Sequence, residues 1–149
     1  MGEITNLNIA TGLREFNLNG KVTVTFNPTD PVFIEKVYNT FGSLDDLQDK
    51  VRLKSKGATT EELIAMLKEL DSEMREMLEN LMAVDVCTPL FGDSNVFAMA
   101  DGLPLWANFL LAIMDVIDEN VAESNKLSKK KIAKYMAKYE AEDHKKKEK

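Results

Sequence analysis

The chain is poor in the residues on which most site chemistry depends: among its 149 residues there is one cysteine, one histidine and one tryptophan. A single cysteine, Cys87, cannot close an internal disulfide, so no disulfide framework holds this fold. The lone histidine, His144, falls in the terminal segment EAEDHKKKEK, so no imidazole lies in the expected folded region to activate a nucleophile. Long apolar runs are missing as well. The stretch from Leu103 to Met114 is apolar apart from Asn108 and the early Pro104, and it meets Asp115, Asp118 and Glu119 well short of the roughly 20 residues that a membrane span needs. The opening MGEITNLNIATG has neither the basic region and apolar core of a secretion signal nor an Arg-rich amphipathic pattern, so a cytoplasmic protein is expected.

What is present is an ordinary globular composition at about the size of one domain, with charge unevenly spread. Residues 126–149 hold ten lysines against Glu140, Glu142, Asp143 and Glu148, whereas residues 1–125 hold nine basic and twenty-one acidic residues; the −6 net charge is therefore a −12 body and a +6 tail. An acidic body repels nucleic acid, and a basic tail suits an acidic partner, or its own body, through salt-sensitive contacts. Residues 1–139 are expected to form one globular domain with residues 1–12 as a flexible arm, and residues 140–149 a disordered basic tail.

Residues 13–26, LREFNLNGKVTVTF, read as a β-hairpin around Asn19-Gly20. A two-residue loop would set Phe16 and the Val22, Val24, Phe26 row on opposite faces. A three-residue loop, Leu18-Asn19-Gly20 with Gly20 left-handed, pairs Phe16 with Val22 and makes one apolar face; a type I turn with a glycine bulge suits it and is the expectation. Asn27-Pro28-Thr29-Asp30-Pro31 then starts a helix, capped by Asp30 or Thr29, that runs through Gly42 to about Lys54 on Val37, Phe41, Leu44 and Val51. Thr59 with Glu62 matches a capping box, and behind it Leu63, Leu67, Leu70, Met74, Met77, Leu78 and Leu81 trace an amphipathic stripe. A short helix around Asp85 to Leu90 stops at Gly92. The apolar run starting at Leu103 then reads as a buried central helix over about 103–123, with Asp101 as cap and Pro104 in its first turn. The expected fold is mainly α (α+β): an N-terminal β-hairpin followed by a compact bundle of about four to five helices around that central one.

The candidate chemical motifs are weak. Phe91-Gly92-Asp93-Ser94 has the letters of the GDS-type esterase nucleophile, but that motif belongs near the N-terminus after a buried strand and needs an Asp three residues before its His. Here that residue is Ala141, and a helix stop followed by a turn explains the letters. Asp115, Asp118 and Glu119, or Asp45, Asp46 and Asp49, are carboxylates without a histidine or a Gly-centred calcium loop, which reads as a solvated face and not as a metal site. Tyr135 and Tyr139 among lysines have the composition of a base-stacking segment, equally explained by a terminal helix with a basic face. No enzyme activity and no cofactor is therefore expected. Met66, Met74, Met77 and Met82 make α-helical positions rich in flexible thioethers. Such side chains more often fill a core and otherwise accommodate varied apolar partners, and Met74, Met77 and Met82 are the candidates for such a contact.

Three segments together carry a resemblance: the hairpin leading into FNPTD and a helix, the EMREMLENLM helix, and FGDSNVFAMADGLPLWANFLLAIMD. Over about residues 9–139 they resemble small proteins from the tail-morphogenesis region of phages and prophages of Gram-positive bacteria, which are similar to tail assembly chaperones. The resemblance implies a non-enzymatic protein that keeps an apolar helical client, such as the tape-measure protein, soluble until tail-tube protein assembles around it. It implies a protein partner, with neither nucleic acid nor membrane. The alternative is a self-associating structural tail component, a ring or dimer built by hairpin edge pairing.

Overall fold

The computed structural model describes residues 2–147, and within them the side chains up to Lys138 other than that of Tyr135. Strands β1 (Arg14–Leu18) and β2 (Val22–Phe26) form the antiparallel hairpin, followed by helices α1 (Pro31–Lys54), α2 (Thr60–Met82) and α3 (Cys87–Phe91). A second, very short hairpin of β3 (Met99–Ala100) and β4 (Leu103–Pro104) leads into the last helix, α4 (Leu105–Lys147). The architecture is thus mainly helical with an N-terminal hairpin, as the patterning implies. Among the described residues no helix is long and apolar enough to cross a membrane.

The first hairpin puts its apolar residues on one face, but by a different turn from the expected one. Asn19 and Gly20 both have positive φ, 54° and 69°, as a type I′ turn requires, and the Lys21 amide donates to the Leu18 carbonyl at 3.0 Å. Lys21 is then an extra residue. Leu18 pairs with Val22 and Phe16 with Val24, so the register is shifted by two from the expected Phe16–Val22 pairing. A shift of two preserves the side-chain faces, which is why the inward row survives the change. Phe26 stacks between Phe16 and Phe33 of α1, with ring centroids 4.5 Å apart on either side.

Asp30 caps α1 by accepting from the Val32 amide at 3.0 Å, with Pro31 in the first turn, and α1 does run through Gly42 to Lys54. Thr59 caps α2 by accepting from the Glu62 amide at 3.2 Å. Ala83 ends α2 in the left-handed conformation at φ 62°.

The start of α4 departs from expectation. Asp101 is not a cap: it and Gly102, at φ 52° and 81°, form the two-residue turn of the β3–β4 hairpin, and Pro104 pairs with Met99 as the last strand residue instead of opening the helix. Loop carbonyls take over the cap's task. The Leu105 and Trp106 amides donate to the Ala98 and Val96 carbonyls at 2.9 and 3.2 Å, and Asn108 Nδ2 donates to the Ala100 carbonyl at 2.8 Å. Free amides at a helix start need acceptors, and the segment folded over them supplies two, the Ala98 and Val96 carbonyls, without an aspartate. Asp-Gly is the sequence signal of such a hairpin, overlooked here because a strand of two residues has no alternation to read.

The core is built on the first turns of α4. Trp106, Ala107, Phe109 and Leu110 are all buried, after which burial narrows to one side at Ile113 and Ile117 while Ala112 is exposed. Val37 and Leu44 of α1, Met74, Leu78 and Met82 of α2, Val86, Cys87 and Val96 complete the cluster together with Val24 and Phe26. Trp106 meets Phe41 at 5.3 Å between ring centroids, and its indole N–H donates to Gln48 Oε1 at 2.8 Å. Arg14, lying over the Phe16 ring, donates to Asn120 Oδ1 and ties the hairpin to α4.

Beyond Val121, the last α4 residue packed on the core, the helix does not end at the expected 123. It continues as helical backbone through Lys147, across positions 140–147 where a structureless tail is expected; Glu148 and Lys149 lie outside the described residues. At 1.5 Å per residue, this 43-residue helix is about 64 Å long, so its second half projects from the body.

Truncating a fully buried side chain at the root of α4 tests where the core lies. Leu110→Ala should lower stability by about 2–5 kcal/mol, read by urea titration of the fluorescence of the sole tryptophan. A loss below about 1 kcal/mol would contradict this placement of the core.

Candidate functional site

The segment with the esterase-like letters is a structural joint. Asp71 and Arg75, one turn apart on α2, are paired at 3.0 Å, and the two side chains divide the loop between them. Arg75 Nη2 donates to the carbonyls of Gly92 and Ser94 at 2.9 and 2.6 Å, while Asp71 Oδ1 accepts from the Val96 amide at 2.7 Å. Asn95 completes the joint, donating to the Leu67 carbonyl at 3.1 Å and accepting from the Phe97 amide at 2.9 Å. Charged and amide groups thus saturate a turn that would otherwise leave backbone groups unpaired against α2. Gly92 takes φ 57°, ψ −127°, a conformation that L side chains rarely adopt, so the glycine of the motif is needed for the turn itself. Ser94 and Asp93 are exposed, and the side chain of His144 lies outside the described residues.

Cys87 is buried at the start of α3, and burial pushes its thiol up to about 11, so at neutral pH it is a protonated, apolar core group. Asp85 just before it accepts from the Thr88 amide at 3.1 Å. The Thr88 hydroxyl and amide hold the Asp85 carboxyl below its ordinary value, so this cap is fully present above the ordinary carboxylate range and is lost as pH falls through the lowered value. Asp45, Asp46 and Asp49, like Asp115, Asp118 and Glu119, are exposed on outer helix faces. Among the described residues no group of three or more His, Cys, Asp or Glu is arranged to hold a metal ion.

The three candidate methionines do not form one surface. Met74 and Met82 are buried in the core cluster, and Met77 alone is partly accessible, beside a shallow cavity with Lys36, Asn39, Thr40, Asn80 and Leu81. The reason is helical phase: Met74, Leu78 and Met82 recur every four residues on the side of α2 turned to the core, and Met77 sits at its margin. A groove of about 330 Å³ lies instead between the tip of the first hairpin and the α3–α4 surface. Leu18, Leu90, Phe91, Phe109 and Ile113 line it, and Asn17, Asn19 and Asn108 are the polar residues of its wall.

Exposed apolar side chains are scattered singly over the body, at Val32, Leu53, Ile64 and Met99 among others, and follow one another along two elements that project from it. In the N-terminal arm, residues 2–13, Ile4, Leu7, Ile9 and Leu13 are between 62% and 93% exposed, on backbone that forms neither helix nor strand. The arm is tethered at its base. Asn27 Nδ2 donates to the Thr11 carbonyl at 3.0 Å while its Oδ1 accepts from the Thr29 amide and hydroxyl at 2.9 and 2.8 Å. Gly12, at φ 74°, lies so close that an added Cβ would stand 2.5 Å from Asn27 Nδ2. The second element is the projecting half of α4, where Leu127, Ile132 and Met136 are each more than half exposed. No sequence expectation singled out these four residues, although Leu7, Ile9 and Leu13 share the alternating spacing of a strand.

No protein-family model, characterised protein or solved structure matches this chain significantly.

Two measurements test these assignments. Arg75→Ala should accelerate hydrogen exchange of the Ser94–Phe97 amides and lower stability by about 1–3 kcal/mol through the unpaired Asp71 carboxylate; unchanged exchange would remove the joint. Cys87 should react with an aromatic disulfide reagent at pH 8 at least ~100-fold more slowly in the folded chain than in urea, and equal rates would contradict its burial.

Proposed function

We propose that this protein is a non-enzymatic assembly chaperone of the phage-tail kind, using its N-terminal arm to hold an apolar helical client, such as a tape-measure protein, in soluble form in the host cytoplasm. One observation carries the reading: Ile4, Leu7, Ile9 and Leu13 are presented to solvent on an extended segment whose base is tied down by Asn27. Covering each such side chain contributes about 1.5–3 kcal/mol, enough in sum to hold an apolar stripe on a client. An extended segment adapts to varied apolar partners more readily than a rigid groove. The acidic body fits the same task, because a net negative surface keeps a complex with an apolar client dissolved. The core positions of Met74 and Met82 move the proposed contact from the methionines to the arm, with Met77 left as a marginal contributor.

A second reading is a self-associating structural component, a ring or dimer built by strand pairing. The hairpin supports it: β1 and β2 form a two-stranded sheet, so each has an outer edge without a strand partner among the described residues. A multimer that survives dilution and about 500 mM salt supports edge pairing.

Co-expression separates the arm from the rest. The full chain should raise the soluble fraction of a co-expressed phage tape-measure protein, and a chain lacking residues 2–10 should lose that effect while keeping its thermal midpoint. Equal solubilisation by the truncated chain overturns the arm assignment; no solubilisation by the full chain overturns the chaperone reading.

A further inference from the structure

The projecting half of α4 and the outer face of α2 carry opposite charge. Residues 126–138, KLSKKKIAKYMAK, hold six lysines and no acidic residue, and Lys126, Lys130, Lys134 and Lys138 recur every four residues along one side of the helix. On α2 the outward face holds Glu61, Glu62, Glu69, Glu73, Glu76 and Glu79, all exposed, with only Lys68 beside them. Arg75, the other base of α2, is turned to Asp71 and the 92–94 loop. Among the described residues the only ion pairs are Arg52–Asp49 and Arg75–Asp71, and none of these six glutamates has a basic partner among them. Glu69, Glu73, Glu76 and Glu79 repel one another at i, i+3 and i, i+4 spacing, and the lysine row repels itself in the same way.

The two surfaces do not meet within one molecule. The last α4 residue on the core is Val121, and from there the helix runs on unbroken, carrying Lys138 about 26 Å further from the body at 1.5 Å per residue. A continuous helix does not fold back, so residues 126–138 and the α2 glutamates meet only between molecules.

We propose that the projecting segment of α4, residues 126–138, docks along the acidic face of α2 in a second copy of this chain. The lengths agree. The lysine row spans about 18 Å and the glutamate face, from Glu61 to Glu79, about 27 Å at the helical rise. Leu127, on the lysine side of the helix, adds apolar area there, and Ile64, 58% exposed, offers apolar area on the flank of the glutamate face. The contact uses two different faces of the chain, so copies satisfy it reciprocally in a dimer or in series around a ring. It goes beyond the client reading and is independent of the arm. It also differs from hairpin edge pairing, because it depends on charge.

Light scattering coupled to size exclusion, run on the full chain at about 50 and about 500 mM sodium chloride, tests it through screening. At the lower salt the mass should be a multiple of the 16.8 kDa monomer, and at the higher salt it should fall to the monomer. Lys126→Glu/Lys130→Glu/Lys134→Glu should be monomeric at low salt, as should Glu69→Lys/Glu73→Lys/Glu76→Lys; all six sites are exposed, and circular dichroism should be unchanged. Mixing the two reversed chains should restore association, which a general effect of net charge would not do. A monomer at low salt overturns the proposal, as does a mass that neither reversal changes. Binding of the wild-type chain to RNA or to anionic vesicles with no multimer of its own also overturns it.

Discussion

A buried indole needs both a full apolar jacket and an acceptor for its N–H, and Trp106 obtains both from α1. Phe41 packs on the ring and Gln48 accepts its proton, and since these residues lie two turns apart, the pair fixes α1 on α4 in register as well as in position. The Trp106 amide meanwhile donates to the Val96 carbonyl, so the same residue locates the loop that follows α3. Around this point the hairpin and α2 add their apolar faces. The rest of the body depends on Trp106 being satisfied in this way, because an orphaned indole N–H in the core would cost about as much as several surface contacts contribute.

The polar groups within the body serve geometry. Asp71, Arg75 and Asn95 close the backbone of residues 92–97 against α2, and Asn27 joins the arm, the end of β2 and the cap of α1 in one set of hydrogen bonds. Every described buried side-chain polar atom has a partner. The body therefore behaves as a rigid mount, and the elements that differ from it are the two that stand away from it. One carries apolar side chains and a single charge, Glu3, on backbone that is neither helix nor strand; the other is helical, basic and only partly apolar. Different chemistry on the two suits different occupants, a client on the arm and a charged surface on the helix.

Local signals in the sequence were legible wherever a residue acts on its own neighbours. Asp30-Pro31 and Thr59-Thr60-Glu61-Glu62 place two helix starts, and the apolar stripes of α1 and α2 select the faces they bury, because caps and periodicity are set within one or two turns of chain. The hairpin faces were legible for the same reason, although the register was not: type I′ geometry at Asn19-Gly20 and the extra Lys21 reach the same parity by another route. Asp101 was misread because a cap and a hairpin turn use the same residue type, and only the position of Ala98 and Val96 over the helix start decides between them.

Capping residues, apolar stripes, the single cysteine and the split of charge between body and tail were determined by the sequence itself, since each follows from residue type and spacing. Tertiary structure alone decided that Met74 and Met82 are core while Ile4, Leu7 and Ile9 are surface, and that the lysine row stands beyond reach of the α2 glutamates. Burial and reach depend on which other elements arrive at a given face, and that is a property of packing over the whole chain that no local spacing encodes.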